Sequence, residues 1–446
     1  EDTEGKPDVG LTKARKLVER DGVHLLMGIV SSPIGMAVQG YARDKKIPVI
    51  VSADFGASLV TMPGKLLNPY LFRWSQTGIG PGAAAGDWAY KDARWRKVAM
   101  ITSDFPAGIE ANGIFTRVFC DLGGRVVQEI YVPIGTPDWA PFLAQVDRSV
   151  DAVVFFAPGA DGLRFGRQYQ EYGLKEKLPL MDVYAQVTHE PLLSQLGNAV
   201  LGVHSAVHYA AVLDTPENKK FVAAFKAKYN RLPFDNGPDG WVGARAIAEA
   251  LKAVNGNVED QEKFMAAMRK AEFDSPKGRV KLDQFQNVIQ SQYIRKVERV
   301  GGELANVPVK AYPLVSQFWS LTPEQFLRYP PLAELKGKAL RGLAVEVSPG
   351  SFVTPTEYMR AVALARLAAP HVPHIIAPLT RMPTLSPAQG LGTTFYQHPA
   401  EKIGPVAVHF GASDLGPIDV RKVNPKATMT QIRAAGFVPS LRDGVL

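Results

Sequence analysis

Residues 24–55 read HLLMGIVSSPIGMAVQGYARDKKIPVIVSADF: an apolar run, a small polar turn, a helix, a charged turn and a second apolar run. Residues 24–30 are short, mostly apolar and closed by Ser31 and Ser32, which reads as a buried strand. Ser-Pro is a good N-cap and first-turn pair, so a helix is expected from about Pro33 to Arg43. Asp44-Lys45-Lys46 makes the turn, and residues 47–52 form the next strand, entered through Pro48. A strand, a helix and a strand within about thirty residues make a parallel βαβ unit. Ser31 and Ser32 then sit between the end of a strand and the start of a helix, where open α/β sheets hold ligands. Backbone N–H groups and hydroxyls at such a junction suit a carboxylate or other anion. A plain serine cap is the competing reading.

The same alternation continues outward. Buried strands are expected at 97–103, 151–156 and 178–183, with helices at 107–122, 138–148 and 162–172. Buried strands alternating with helices imply an α/β fold with parallel sheets covered on both faces. GIGPGAAAG at 78–86 reads as small and flexible, opening a helix only toward Trp88. Helices at 217–229, 241–254 and 261–271 precede strands at 278–283 and 290–298, with Gly301-Gly302 as a turn. Around residue 330 the character changes to RYPPLAELKGKALRG, a linker-like stretch, and a helix is expected at 355–369.

Composition narrows the function. The chain has 446 residues, 46% hydrophobic and 21% charged, ordinary for a globular protein of several lobes. No apolar run reaches the ~18 residues of a membrane-spanning helix. The first residues, EDTEGKPDVG, have no basic and apolar leader, so a signal peptide has been removed or none existed. The single cysteine, Cys120, lies on the apolar face of an expected helix and reads as core; it permits no intrachain disulfide and no cysteine-bound cluster. The net charge of +8 is scattered, which argues only weakly for nucleic acid, and no nucleic-acid partner is expected. His204 and His208 have HxxxH spacing, but their run reads as extended, and four residues of strand separate side chains by about 13 Å. His371 and His374 flank a proline with no carboxylate nearby in sequence. No metal site or cofactor is expected from either pair.

The series DTEGKPDVGLTKARKLVERDGVHLLMGIVSSP, KKIPVIVSAD, NPYLFRWSQTG and KVAMITSDFPAG resembles the solute-binding proteins of ABC transporters. The type is that of the branched-chain amino-acid (Leu/Ile/Val) binding family. DAVVFFAPGADGLRFGRQYQEYGLK, FDSPKGRVKLDQFQNVIQSQYIRKVE and VSQFWSLTPEQFL extend the likeness in the same order over about residues 1–335. The resemblance implies a two-lobed, type I periplasmic-binding-protein fold. Lobe 1 would take residues 1–73 and 209–285 and lobe 2 residues 74–208 and 286–320, with a linker at 321–350. It implies a small-molecule ligand, an amino acid or an aromatic or aliphatic carboxylate, closed between the lobes and passed to an ABC permease in the membrane. It also implies a periplasmic or extracytoplasmic location and no catalysis. Position by position, Ser32, with Ser31 beside it, matches the serine that holds the ligand carboxylate. Ala53 and Phe55 match a pair of backbone contacts. Asp54 between them either meets a ligand amine or stabilises an Asx-type turn. Phe105 matches an aromatic wall, and Tyr184 and residues 156–159 occupy cleft positions, while His208 lies at a crossover. Family members begin with a strand, a loop and a helix before the position of Glu1, so two strands of lobe 1 are expected to lack a ladder partner.

Residues 351–446 follow another pattern. EYMRAVALARLAAPHVPHIIA, EKIGPVAVHFGASDLG and IRAAGFVPSLRD resemble the C-terminal part of radical-SAM enzymes of futalosine-pathway menaquinone synthesis, and of their deazaflavin-synthase relatives. That chemistry requires cysteine thiolates on an iron–sulfur cluster, which this chain does not carry. Asp414 in GASDLG then reads as a turn residue. No GxSxG, HExxH or phosphate-loop motif occurs either. Two alternatives to the transport reading stand beside it: a cytoplasmic ligand-sensing regulator of the same fold, and a product of joined gene pieces with no integrated function.

Overall fold

The computed structural model describes residues 1–52, 68–104 and 106–327, apart from the side chains of Ser32, Pro106 and Leu327, and the backbone of two short strands further on. The chain divides into two units, Glu1–Gly337 and Lys338–Leu446. The expected linker from 328 on, the helix at 355–369, His371, His374, Asp414 and the tail resemblance lie outside the described residues.

The opening segment forms α1 (Pro7–Arg15), β1 (Leu26–Ile29), α2 (Ser32–Lys45), β2 (Val49–Val51) and β3 (Leu71–Arg73). The three strands pair in parallel in the order β1-β2-β3. α2 ends where Lys46 turns left-handed (φ 56) and returns its N–H to the last turn. The pleat divides the apolar side chains. Val49 and Val51 face Ala14, Ile34, Val38 and Ala42 of the two helices, while Ile50 faces the opposite core. β1 departs from expectation: Leu26 is buried, but Met27 and Val30 are 39% and 57% exposed. The reason is its place. β1 pairs with β2 on one side and has no strand on the other among the described residues. The ladder β1-β2-β3 is continuous, and on its far side β3 is met by the isolated parallel bridge Arg73–Asn287.

The larger sheet contains β4 (Lys97–Ser103), β5 (Arg125–Val132), β6 (Ala152–Phe156), β7 (Leu180–Val183), β8 (His204–Val207), β9 (Glu272–Ser275), β10 (Gly278–Leu282), β11 (Val288–Val300) and β12 (Glu303–Val315). Its order is β5-β4-β6-β7-β8-β11-β10-β9, with β12 on β11. β4 to β8 are parallel, and β11 is antiparallel to β8. The helices are α3 (Ile79–Lys91), α4 (Pro106–Asp121), the short α5 (Ala140–Leu143), α6 (Ala160–Glu171), α7 (Glu190–Leu196), α8 (Pro216–Tyr229), α9 (Gly237–Ala253), α10 (Gln261–Lys270) and α11 (Pro323–Leu327). Both faces of the parallel part are covered. Ala99, Ile101, Val153 and Phe155 pack with Trp139, Phe165 and Tyr169. Val98, Met100, Val154 and Phe156 pack with Trp88, Phe115 and Phe119. A separate core joins Ile50, Phe72 and Trp74 to α9, α10, β10 and the start of β11. Cys120 is buried in α4, and burial pushes its thiol up to about 11.

One strand went unforeseen and one expectation fails. β12 follows the Gly301-Gly302 turn and carries Pro308 and Pro313; it lies outermost on β11, where missing N–H donors are tolerated. GIGPGAAAG is not flexible but helical and buried throughout. A Cβ on Gly82 would stand 2.5 Å from Ala111 O, and one on Gly86 would stand 2.8 Å from Phe115 O and 3.1 Å from Phe119 N. The glycines let α3 lie directly on α4, and that contact outweighs their propensity cost of about 1 kcal/mol each. Gly86→Ala should therefore lower stability by about 1–3 kcal/mol in urea unfolding. Gly40→Ala in α2, where nothing lies within 4 Å, should be neutral or stabilising by about 1 kcal/mol. Equal effects at the two positions would refute the contact argument.

Candidate functional site

Parallel strands deliver their C-terminal ends to one side, and the expected site residues follow them. After β1, Ser31 is the N-cap of α2, with an extended backbone (φ −87, ψ 129). Its carbonyl accepts the Gly35 N–H at 2.9 Å, but its hydroxyl makes no capping hydrogen bond. Ser32 is already the first helical residue, so the cap falls one position earlier than the Ser-Pro pair suggested. After β2, Ser52 Oγ lies 3.5 Å from Ile50 O. Ala53, Asp54, Phe55 and Phe105 lie outside the described residues.

The end of β3 leads into buried polar residues. Arg73 donates to Asn287 Oδ1 through Nε at 2.8 Å and Nη2 at 2.6 Å, tying β3 to the segment before β11. Ser75, Gln76 and Thr77 are buried behind it. His208 Nδ1 meets Gln76 Oε1 at 2.6 Å, and its Nε2 lies 3.1 Å from Asp239 Oδ1. Lys277 donates to the same carboxylate oxygen, and to Trp74 O at 3.2 Å. His208, Asp239 and Lys277 are fully buried. Burial works against the Asp239 carboxylate, yet His208 and Lys277 outweigh it and hold it below the usual carboxylate range. Burial also pulls the Lys277 ammonium below its ordinary value, against the Asp239 charge. His204 goes elsewhere and stacks on Trp88 at 4.6 Å. The partners of His208 stand far away in sequence, which is why spacing did not reveal them.

From the larger sheet, Tyr184 follows β7. Its side chain is buried, and its ring meets Phe156 edge-on at 5.6 Å and 86°. A Cβ on Gly78 would stand 2.9 Å from the Tyr184 hydroxyl and 2.6 Å from Glu110 Oε1. Tyr184 and Glu110 thus converge on the turn that opens α3. Glu110 was missed, because a lone carboxylate in a helix carries no sequence signal. Among the described residues, no group of His, Cys, Asp or Glu is arranged to hold a metal ion.

The fold is the type I α/β fold of periplasmic binding proteins, shared with the solved structures described next. The chain belongs to the periplasmic binding protein family, which matches residues 1–302. It is 32% identical over 292 residues to the Leu/Ile/Val-binding protein homolog 6 of Brucella melitensis, covering 64% of this chain and 73% of that protein. An ABC transporter substrate-binding protein from Sphaerobacter thermophilus is 36% identical, with a TM-score of 0.68 over 70% of this chain and 86% of that one. A solute-binding protein from Rhodopseudomonas palustris, solved with 3,4-dihydroxybenzoic acid, is 34% identical, with a TM-score of 0.65 over 71% and 86%.

Two outcomes test this electrostatic reading. Asp239→Asn leaves the Lys277 charge buried without its counter-ion and should cost about 3–5 kcal/mol; a loss under about 1 kcal/mol in urea unfolding would contradict the ion tie. His204 is held neutral: burial, and then the Lys296 charge, push its imidazole down to about 4. Its folded value lies below the unfolded ~6.5, so the unfolded chain takes the proton first. The stability it supplies is complete above pH ~6.5 and is lost as pH falls toward 4. His204→Gln should flatten that part of the stability profile between pH 7 and 4.5.

Proposed function

We propose that this chain is the solute-capturing component of an ABC importer, that it works outside the cytoplasm, and that its ligand is a small carboxylate with an aromatic or branched apolar body. The observation that carries the reading is the Ser31 junction. The start of α2 supplies backbone N–H groups and positive dipole, and the Ser31 hydroxyl is not spent on capping. Phe156 and Tyr184 supply an aromatic surface, and Ser32, Ala53, Asp54, Phe55 and Phe105 complete the proposed site. Lobe 1 then comprises residues 1–73 and 209–285 and lobe 2 residues 74–208 and 286–320, a division supported by the separate apolar cores. The ligand class is further supported by relatives solved with 3,4-dihydroxybenzoic acid and 4-hydroxybenzoate at 34% and 30% identity. The partner that receives the solute is a membrane permease.

Calorimetric titration with benzoate, 4-hydroxybenzoate, 3,4-dihydroxybenzoate and L-leucine tests the ligand class. At least one benzoate is expected to bind, and L-leucine more weakly. Replacing both Ser31 and Ser32 with Ala should weaken binding about 10-fold or more, the loss of a hydrogen bond to a charged group, with little change in thermal stability. Tighter binding of L-leucine would move the assignment to branched-chain amino acids. Unchanged affinity in the double variant would remove the serine junction from the site.

A further inference from the structure

Asp182 is the penultimate residue of β7 and is fully buried. Its Oδ1 accepts the Gln186 N–H at 2.7 Å. Its Oδ2 accepts the Val187 N–H at 2.9 Å, the Thr188 N–H at 2.8 Å and the Thr188 hydroxyl at 2.8 Å. All three consecutive residues therefore point their donors at one carboxylate. Burial pushes this carboxyl up to about 6 in spite of those donors.

The segment it gathers is strained. Tyr184 and Ala185 are consecutive non-glycine residues in the left-handed region, at φ 70 and 58. Such a backbone is unfavourable for a residue with a Cβ, so the surroundings must hold it. The Tyr184 N–H is tied to Ala206 O at 3.0 Å, and Gln186 Nε2 donates to Tyr184 O at 2.8 Å. On the other side the loop presses on α6, where a Cβ on Gly162 would stand 2.6 Å from Gln186 O. A turn that only joined a strand to a helix would use glycine here. This one keeps a tyrosine, and its path sends the ring between Phe156 and the Gly78 turn.

We propose that Asp182 is a positioning residue for solute capture: its carboxylate fixes the 184–188 turn so that Tyr184 stands where the solute's apolar body packs. The inference rests on the reading above in which Tyr184 belongs to the ligand site. An amide at this position keeps the size but brings its own N–H₂ against the converging donors. Asp182→Asn is therefore expected to weaken 4-hydroxybenzoate binding by 10-fold or more and to speed amide exchange at Gln186–Thr188. In a Tyr184→Ala background the same substitution should cost no more than about twofold, because the ring it positions is gone. A purely structural Asp182 would give losses that multiply. Ala185→Gly in the Asp182→Asn protein should recover thermal stability, since glycine accepts the left-handed backbone, without recovering affinity. Thr188→Val removes a single donor and serves if Asp182→Asn does not fold; it is expected to weaken binding two- to fivefold. Affinity within twofold of wild type in a folded Asp182→Asn protein overturns the proposal, as do multiplying losses. If the unaltered protein binds none of the benzoates or L-leucine, the ligand reading fails first; the clamp is then judged by amide exchange at 186–188, and unchanged exchange in Asp182→Asn overturns it as well.

Discussion

The carboxylate of Asp239 is the point on which distant parts of this chain converge. It is fully buried and is met by Lys277 from the turn between β9 and β10 and by His208 from the end of β8. Lys277 also holds the Trp74 carbonyl, and His208 holds the Gln76 side chain. The segments after β3 and after β8, the start of α9 and the β9–β10 turn are thereby fixed to one another. Burying such groups is expensive, and a well-packed apolar substitute is often as stable. What the arrangement adds is geometry. An apolar cluster tolerates small slips, whereas a charge without water admits few positions for its partners.

Around that tie, packing sets where the loops at the strand ends emerge. The parallel strands β4 to β8 are covered by two different cores, and every second residue serves each. α3 lies on α4 because Gly82 and Gly86 leave no side chain between them. Its first turn, at Gly78, is thereby brought against Glu110 and Tyr184. A substitution deep in the helix pair would thus act on the Gly78 turn through backbone position rather than contact. The Asp182 turn works in the same way from the other direction, since it spends a buried charge on a short loop.

The resemblance to ABC solute-binding proteins, read from collinear motifs, agrees with membership of the periplasmic binding protein family. The βαβ opening and the parallel strands with their helices were legible because apolar runs, Gly stops and polar turns are local signals. Ser31 was legible for the same reason, although the cap falls one residue before the expected place. The reading failed where local preference and tertiary packing disagree. Glycines in 78–86 spoke for flexibility, whereas the missing side chains let two helices pack in direct contact.

The sequence by itself determined the alternation of strands and helices and the serine junction after β1, because each depends on neighbours along the chain. Only the tertiary structure decided that β1 has one ladder partner among the described residues, that Asp239 receives His208 and Lys277, and that Tyr184 and Glu110 meet at Gly78. Those outcomes depend on groups brought together from far apart in the chain. Nothing in a residue's own neighbourhood encodes which distant charge or carbonyl will be left to satisfy it once water is gone.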